Sequence, residues 1–112
     1  MAADSPGNEV LRGTLDLLIL KTLALEPMHG WGITQLIRER SHGLLDVNQG
    51  SLYPSLQRLE GKGFVVSDWQ TTENNRRARY YRLTQTGRAE VAPEEASWRR
   101  HVEGVSLVLQ GG

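Results

Sequence analysis

Three groups of residues in this chain have types and spacings suited to chemistry. The first runs from Asn48 to Lys62. At 100° per residue, Leu52, Leu56 and Leu59 share one narrow arc of a helix, and Gly50, Pro54, Gln57 and Gly61 fall in the opposite arc. Ser51 and Arg58 flank that outward arc on one side and Tyr53 on the other. Small residues let a backbone approach a surface closely. Gln57 and Arg58 have donor geometry for base edges, glutamine suiting adenine and arginine suiting guanine. Ser51 and Tyr53, near the helix N-terminus, can donate to phosphate, where the helix dipole also helps. An ordinary solvated helix face accounts for the same pattern. The second group is Arg76, Arg77 and Arg79 with Asn74 and Asn75 beside them. Arginines at the tip of a β-ribbon reach phosphates or a narrow minor groove, or they merely charge an edge against aggregation. The third group is Trp98, Val102, Val105 and Leu109, spaced by 4, 3 and 4. That stripe is too apolar to leave exposed on so small a protein. It packs against a second copy by two-fold symmetry, or folds back on its own chain.

The elements that position these groups follow from periodicity and punctuation. Apolar residues at Leu11, Leu15, Leu18, Ile19, Thr22 and Leu25 mark one face of a first helix, which Pro27 stops. A turn at Met28, His29 and Gly30 leads to a second helix with Ile33, Leu36 and Ile37 inside, Arg38, Glu39 and Arg40 facing water, and Gly43 as terminator. A third helix follows Asn48, a good N-cap, and ends at Gly61 or Gly63. Pro54 predicts an irregular start, or Ser51 as the effective cap. The period then changes to two. Phe64 to Trp69 and Arg79 to Leu83 read as strands around a polar connector, Gln70 to Ala78, with its tip at Glu73, Asn74 and Asn75. Arg79 and Arg82 alternate with Tyr81 and Leu83, so one strand face belongs to the core. Thr84 caps a last helix, and Pro93 predicts a kink there or a restart at Ala92. The expected class is mainly α with a small β-hairpin. It is a winged helix-turn-helix over residues 9–84, after a flexible N-terminus 1–8 and before a C-terminal helix 85–112 that carries the apolar stripe.

Composition narrows the function classes. A chain of 112 residues and 12.5 kDa is one domain, two very small ones at most. The absence of cysteine excludes disulfides, thiolate metal sites and a cysteine nucleophile. The longest apolar run, Leu17 to Leu20, is far too short to span a membrane. Met1 to Asn8 lacks the pattern of a signal peptide, so a cytoplasmic protein is expected. Net charge is zero, which removes any global attraction to polyanions, but it is unevenly spread. Residues 49–88 hold seven basic and three acidic side chains, net +4, and the segments before and after are each net −2. His29, His42 and His101 are scattered without metal-ligand spacing, and His29 is expected to cap or pack near the second helix. Gly30, Trp31 and Gly32 are too few for a nucleotide-binding loop. Nothing nominates a catalytic group or a cofactor, and Trp31 and Trp69 are expected to be packing residues.

PMHGWGI at 27–33, QGSLYPSLQRLEGKGFV at 49–65 and NNRRARYYRLTQTGR at 74–88 resemble the PadR family of bacterial transcriptional regulators. The segment LRGTLDLLILKTLALEPMHG at 11–30 resembles its short, single-domain branch. The resemblance spans about residues 9 to 109, with the motifs in the right order at the right separations. It implies a winged helix-turn-helix, a homodimer joined largely through the last helix, and, in most members, repression. Asn48 to Lys62 becomes the recognition helix, with the SLYP motif at Ser51, Leu52, Tyr53 and Pro54. Gln70 to Arg79 becomes the wing. The expected DNA contacts are Asn48, Gln49, Gly50, Ser51, Tyr53, Pro54, Gln57, Arg58, Lys62, Asn74, Asn75, Arg76, Arg77 and Arg79. Trp98, Val102, Val105 and Leu109 are the expected dimer contacts. In some short members a tryptophan at the place of Trp98 lines an interface cavity for flat aromatic compounds, so Trp98 is also a candidate effector contact. The function expected is a sequence-specific, homodimeric DNA-binding regulator. It represses at a palindromic operator and is released by a planar aromatic effector. The rival is a winged-helix protein–protein adaptor without DNA binding.

Overall fold

A computed structural model of the chain describes residues 6–111, with side chains from Gly13 onward. The elements are α1 (Pro6–Leu23), β1 (Met28–His29), α2 (Gly30–Arg40), α3 (Gln49–Gly61), β2 (Val65–Thr71), β3 (Arg77–Leu83) and α4 (Gln85–Gln110). Helices α1, α2 and α3 meet around Ile19, Leu20, Leu23, Ile33, Ile37, Leu52, Leu56 and Leu59, and the sheet closes the core with Val65, Tyr81 and Leu83. Burying each such side chain contributes roughly 1.5–3 kcal/mol. This is the expected winged helix-turn-helix.

Several expectations change in detail. Helix α1 starts at Pro6, a residue suited to the first helical position. Residues 1–5 of the expected flexible segment, the side chains of residues 6–12 with Leu11 among them, and Gly112 lie outside what is described. Leu25 is 54% exposed instead of continuing the apolar face, because α1 has ended at Leu23 and the chain turns away before Pro27. Met28 and His29 are a strand where a turn was expected. They pair antiparallel with Tyr81 and Tyr80, which makes a three-stranded sheet of order β1-β3-β2. Two residues are too few to carry a readable period. The hairpin strands also run further toward the tip than expected, because Gln70 pairs with Ala78 and Thr71 with Arg77. The expected connector therefore shrinks to residues 72–76. Its three-residue tip, Glu73 to Asn75, is as expected, with Asn75 in the left-handed region at φ 59°.

Caps decide where α3 begins and ends. Asn48 is the N-cap of α3, its side chain accepting from the Ser51 N–H at 2.9 Å, so Ser51 is not the cap. Pro54 sits inside a helix that starts regularly at Gln49. The acceptor it deprives of a donor is the Gly50 carbonyl, on an exposed residue where water can reach it. At the other end Gly63 adopts φ 80°. Its N–H bonds to the Glu60 carbonyl and the Phe64 N–H to that of Leu59, the paired closure of a Schellman motif. Thr84 caps α4, accepting from the Gly87 N–H at 2.9 Å and donating to the Gly63 carbonyl at 2.6 Å. Helix α4 then passes through Pro93 to Gln110, with no restart at Ala92. Ala89, whose carbonyl loses its donor to Pro93, is exposed and can be hydrated. The first half of α4 lies on α1: Val91 packs on the core, and Lys21 pairs with Glu95 at 3.1 Å.

Candidate nucleic-acid interface

With Leu52, Leu56 and Leu59 buried, α3 turns Gln49, Gly50, Ser51, Tyr53, Pro54 and Gln57 to the surface, and Asn48 and Lys62 at its ends are exposed too. Arg58 is placed differently. Its Nη2 donates to Asp16 Oδ1 at 2.9 Å, and the fully buried Ser55 hydroxyl donates to the same oxygen. The guanidinium expected to face a base edge thus also ties α3 to α1, with its side chain still 31% exposed. Asp16 and Ser55 escaped the reading of the sequence, although each interrupts an apolar arc: Asp16 between Leu15 and Leu17, and Ser55 between Leu52 and Leu56. A polar residue on each of two facing helix arcs is the pattern that marks such a pair. Tyr53 lies over the start of α2, where a Cβ on Gly30 would stand 2.5 Å from its hydroxyl oxygen. Glycine at 30 therefore makes room for the Tyr53 ring.

The wing is ordered by its turn and by its aromatic face. The Asn75 N–H bonds to the Thr72 carbonyl at 2.9 Å and the Thr72 N–H to that of Arg76 at 2.7 Å. Asn74, Asn75, Arg76, Arg77 and Arg79 are all exposed. The Arg77 and Arg79 guanidinium carbons lie 5.9 and 5.8 Å from the centroid of the Trp69 ring. Arg79 Nε also donates to Ser67 Oγ at 2.8 Å, and that hydroxyl donates to Glu60 Oε2 on α3 at 2.9 Å. Trp69 and Trp31 are 54% and 62% exposed, so neither is the packing residue expected of it. The hairpin carries Trp69 out beyond the last core residue on its strand face. Trp31 sits at the exposed start of α2.

These pieces surround one open concavity of ≈ 880 Å³. Its walls are the start of α2 from His29 to Gly32, Gln49 and Tyr53 of α3, and Trp69, Asn74, Arg76, Arg77 and Arg79 of the wing. His29 holds the α2 wall as its N-cap, Nδ1 accepting from the Gly32 N–H at 3.0 Å, which is the capping role expected of it. Gln57 and Lys62 are exposed farther along α3, outside this concavity. Burial, with a smaller push from Glu60, raises the Tyr81 phenol above its usual range, so it stays neutral at physiological pH. The wing's side of the concavity is therefore cationic, with Glu73 its one acidic lining residue.

The sequence model of the PadR-like transcriptional regulator family matches residues 19–93, which hold α2, α3, the wing and the first turns of α4. The chain belongs to the PadR-like family. It is 36% identical over 104 residues to the transcriptional regulator Rv3488 of Mycobacterium tuberculosis, covering 93% of this chain and 90% of that one. Among solved structures, it is similar to a PadR family regulator from Eggerthella lenta at 30% identity and TM-score 0.74, over 93% of this chain and 88% of that one. A regulator from Clostridium thermocellum superposes with TM-score 0.76 at 28% identity, over 88% and 92% of the two chains. This PadR-like protein is accordingly a transcriptional regulator and not an enzyme. Among the described residues, no cluster of side chains could hold a metal ion, and no helix is long and apolar enough to cross a membrane.

A second exposed surface lies on α4 of the regulator. Trp98 and Val102 are each 38% exposed, and exposure rises toward Leu109. Leu107 and Val108, absent from the expected stripe, are exposed as well, so the apolar surface wraps wider round the helix end.

Proposed function

We propose that this PadR-like regulator binds duplex DNA as a homodimer and represses transcription by occupying promoter sites. Each α3 enters a major groove, and each wing lies along the adjacent backbone. One observation carries the reading: the exposed start of α3 and the arginine-bearing wing line the same concavity. Gln49, Ser51 and Tyr53 reach the phosphates and base edges nearest the α3 N-terminus, with Asn48, Gly50 and Pro54 allowing close approach. Gln57 reads a base, and Lys62, Asn74, Asn75, Arg76, Arg77 and Arg79 meet the backbone. Arg58 holds the reading helix on α1 while paired to Asp16. Trp98, Val102, Val105 and Leu109, joined by Leu107 and Val108, are covered by the same stripe of a second copy. Two-fold pairing then reads a palindromic operator with half-sites about one helical turn apart. A planar aromatic effector between the two Trp98 rings favours a dimer with the wrong helix spacing, and so releases the DNA.

Genomic fragments captured on the purified protein supply a specific duplex for the test. Replacing Arg76 and Arg77 together by alanine should weaken binding to every sequence and flatten the dependence of log K on log salt by about 0.9 per lost phosphate contact. Gln57→Ala should relax preference at one base pair by roughly 1–3 kcal/mol. An unchanged salt slope refutes the wing assignment. Failure to retard random duplex at low salt refutes DNA binding and leaves an adaptor.

A further inference from the structure

We infer that Trp69 is a positioning residue of the wing, its indole serving as the platform that pre-orders the Arg77 and Arg79 guanidiniums for phosphate. The inference rests on the DNA-binding reading above and assigns to it a residue that neither touches the core nor carries charge. An indole more than half exposed on a strand near a hairpin tip gains little from burial, so its value lies in what it holds. Trp69 pairs directly with Arg79 in the strand register, and Arg77 sits on the diagonal, opposite Thr71. Both arginines share the Trp69 face of the sheet, within reach of one ring. Their guanidinium carbons lie within 6 Å of the ring centroid, where the negative quadrupole attracts a cation. That attraction offsets the repulsion between two like charges two residues apart. It also removes side-chain freedom that phosphate binding would otherwise have to remove. Arg79 is held twice, through its Nε to Ser67 and onward to Glu60 of α3. The wing cation is thereby set at a fixed place relative to the recognition helix. Arg76 is outside this arrangement. Its backbone N–H bonds to Thr72 Oγ1 at 3.3 Å, and its side chain does not stack on the indole. It is the internal control.

The experiment is a mutant cycle on duplex affinity, run on the full chain with folding checked by thermal melting. Trp69→Ala should weaken binding by about 5-fold or more, because phosphate must then order two arginine side chains that the indole no longer holds, and Trp69→Phe should restore most of it. In an R77A/R79A background, Trp69→Ala should have no further effect, whereas in an R76A background it should keep its full effect. An equal loss in the R77A/R79A background would mean that the indole touches DNA itself, and would overturn the platform. So would unchanged affinity in Trp69→Ala. A second readout needs no DNA. The Arg77 and Arg79 Nε–Hε resonances should lose their ring-current shifts in Trp69→Leu while that of Arg76 stays put. Resonances that do not move overturn the platform whether or not the wild type binds DNA. A wild type that retards no duplex overturns the DNA reading, and with it the purpose assigned to the platform.

Discussion

Gly87→Ala should destabilise the regulator by about 2–4 kcal/mol, although helix propensity alone predicts a gain of about 1 kcal/mol at a helical glycine. Gly87 is buried in the first turn of α4. A Cβ there would stand 2.0 Å from the Phe64 carbonyl oxygen, 2.8 Å from its carbon and 3.0 Å from its Cα. All three are backbone atoms between α3 and β2, so no rotamer change relieves the clash. Ordinary contact lies near 3.5 Å, so α4 must back away by more than about 1 Å. That movement strains the Thr84 N–H bond to the Phe64 carbonyl at 3.0 Å and the Thr84 hydroxyl bond to the Gly63 carbonyl at 2.6 Å. Two hydrogen bonds at about 1 kcal/mol each, plus overpacking of about 1–3 kcal/mol, outweigh the propensity gain. At roughly 4 °C or more per kcal/mol for a domain near this size, Tm should fall by about 10 °C. The assay is far-UV circular dichroism against temperature and urea, at one fixed protein concentration because association adds stability. Gly61→Ala is the control, since a Cβ there meets nothing within 4 Å. A Gly87→Ala protein melting at or above the wild type refutes this account of how α4 is seated.

Two further outcomes follow from ion pairs. Asp16→Ala leaves the buried Ser55 hydroxyl without its acceptor and Arg58 without its counter-ion. Because Arg58 is partly exposed, most of the expected loss, about 2 kcal/mol, comes from Ser55, and a urea midpoint equal to wild type would contradict it. Glu95 accepts from Arg99 at 2.7 Å and from Lys21 at 3.1 Å, which lowers its carboxyl from the usual 4.5. A depressed folded value means stability present above the unfolded pKa and lost as pH falls through the folded one. Stability below about pH 4.5 should therefore decline less steeply in Glu95→Gln than in wild type; identical pH profiles would remove Glu95 from the account.

Much of the candidate interface was legible residue by residue. The leucine arc of α3, its Asn48 cap, the Thr84 cap, the His29 cap and the three-residue wing tip are local features. Each depends on side chains within a few positions of one another, where backbone geometry leaves few alternatives. The tie from Arg58 to Asp16 was not legible because the two lie 42 residues apart, and periodicity is blind to what faces a helix side chain across an interface. Trp31 and Trp69 were misread for the converse reason. Large aromatic rings are commonest in cores, and nothing nearby in the chain indicates that a hairpin will carry one out past the helices.

The order of residues by itself determined which helices form, where they are capped, which arcs are apolar and where the basic charge concentrates, because these follow from short-range sterics, hydrogen bonding and periodic burial. Only the tertiary structure decided that Met28 and His29 become a third strand, that α4 runs on through Pro93, that Arg58 joins α3 to α1, and that Trp69 carries two arginines. Those outcomes depend on which surfaces meet and which stay in water, and that is settled by packing between segments distant along the chain.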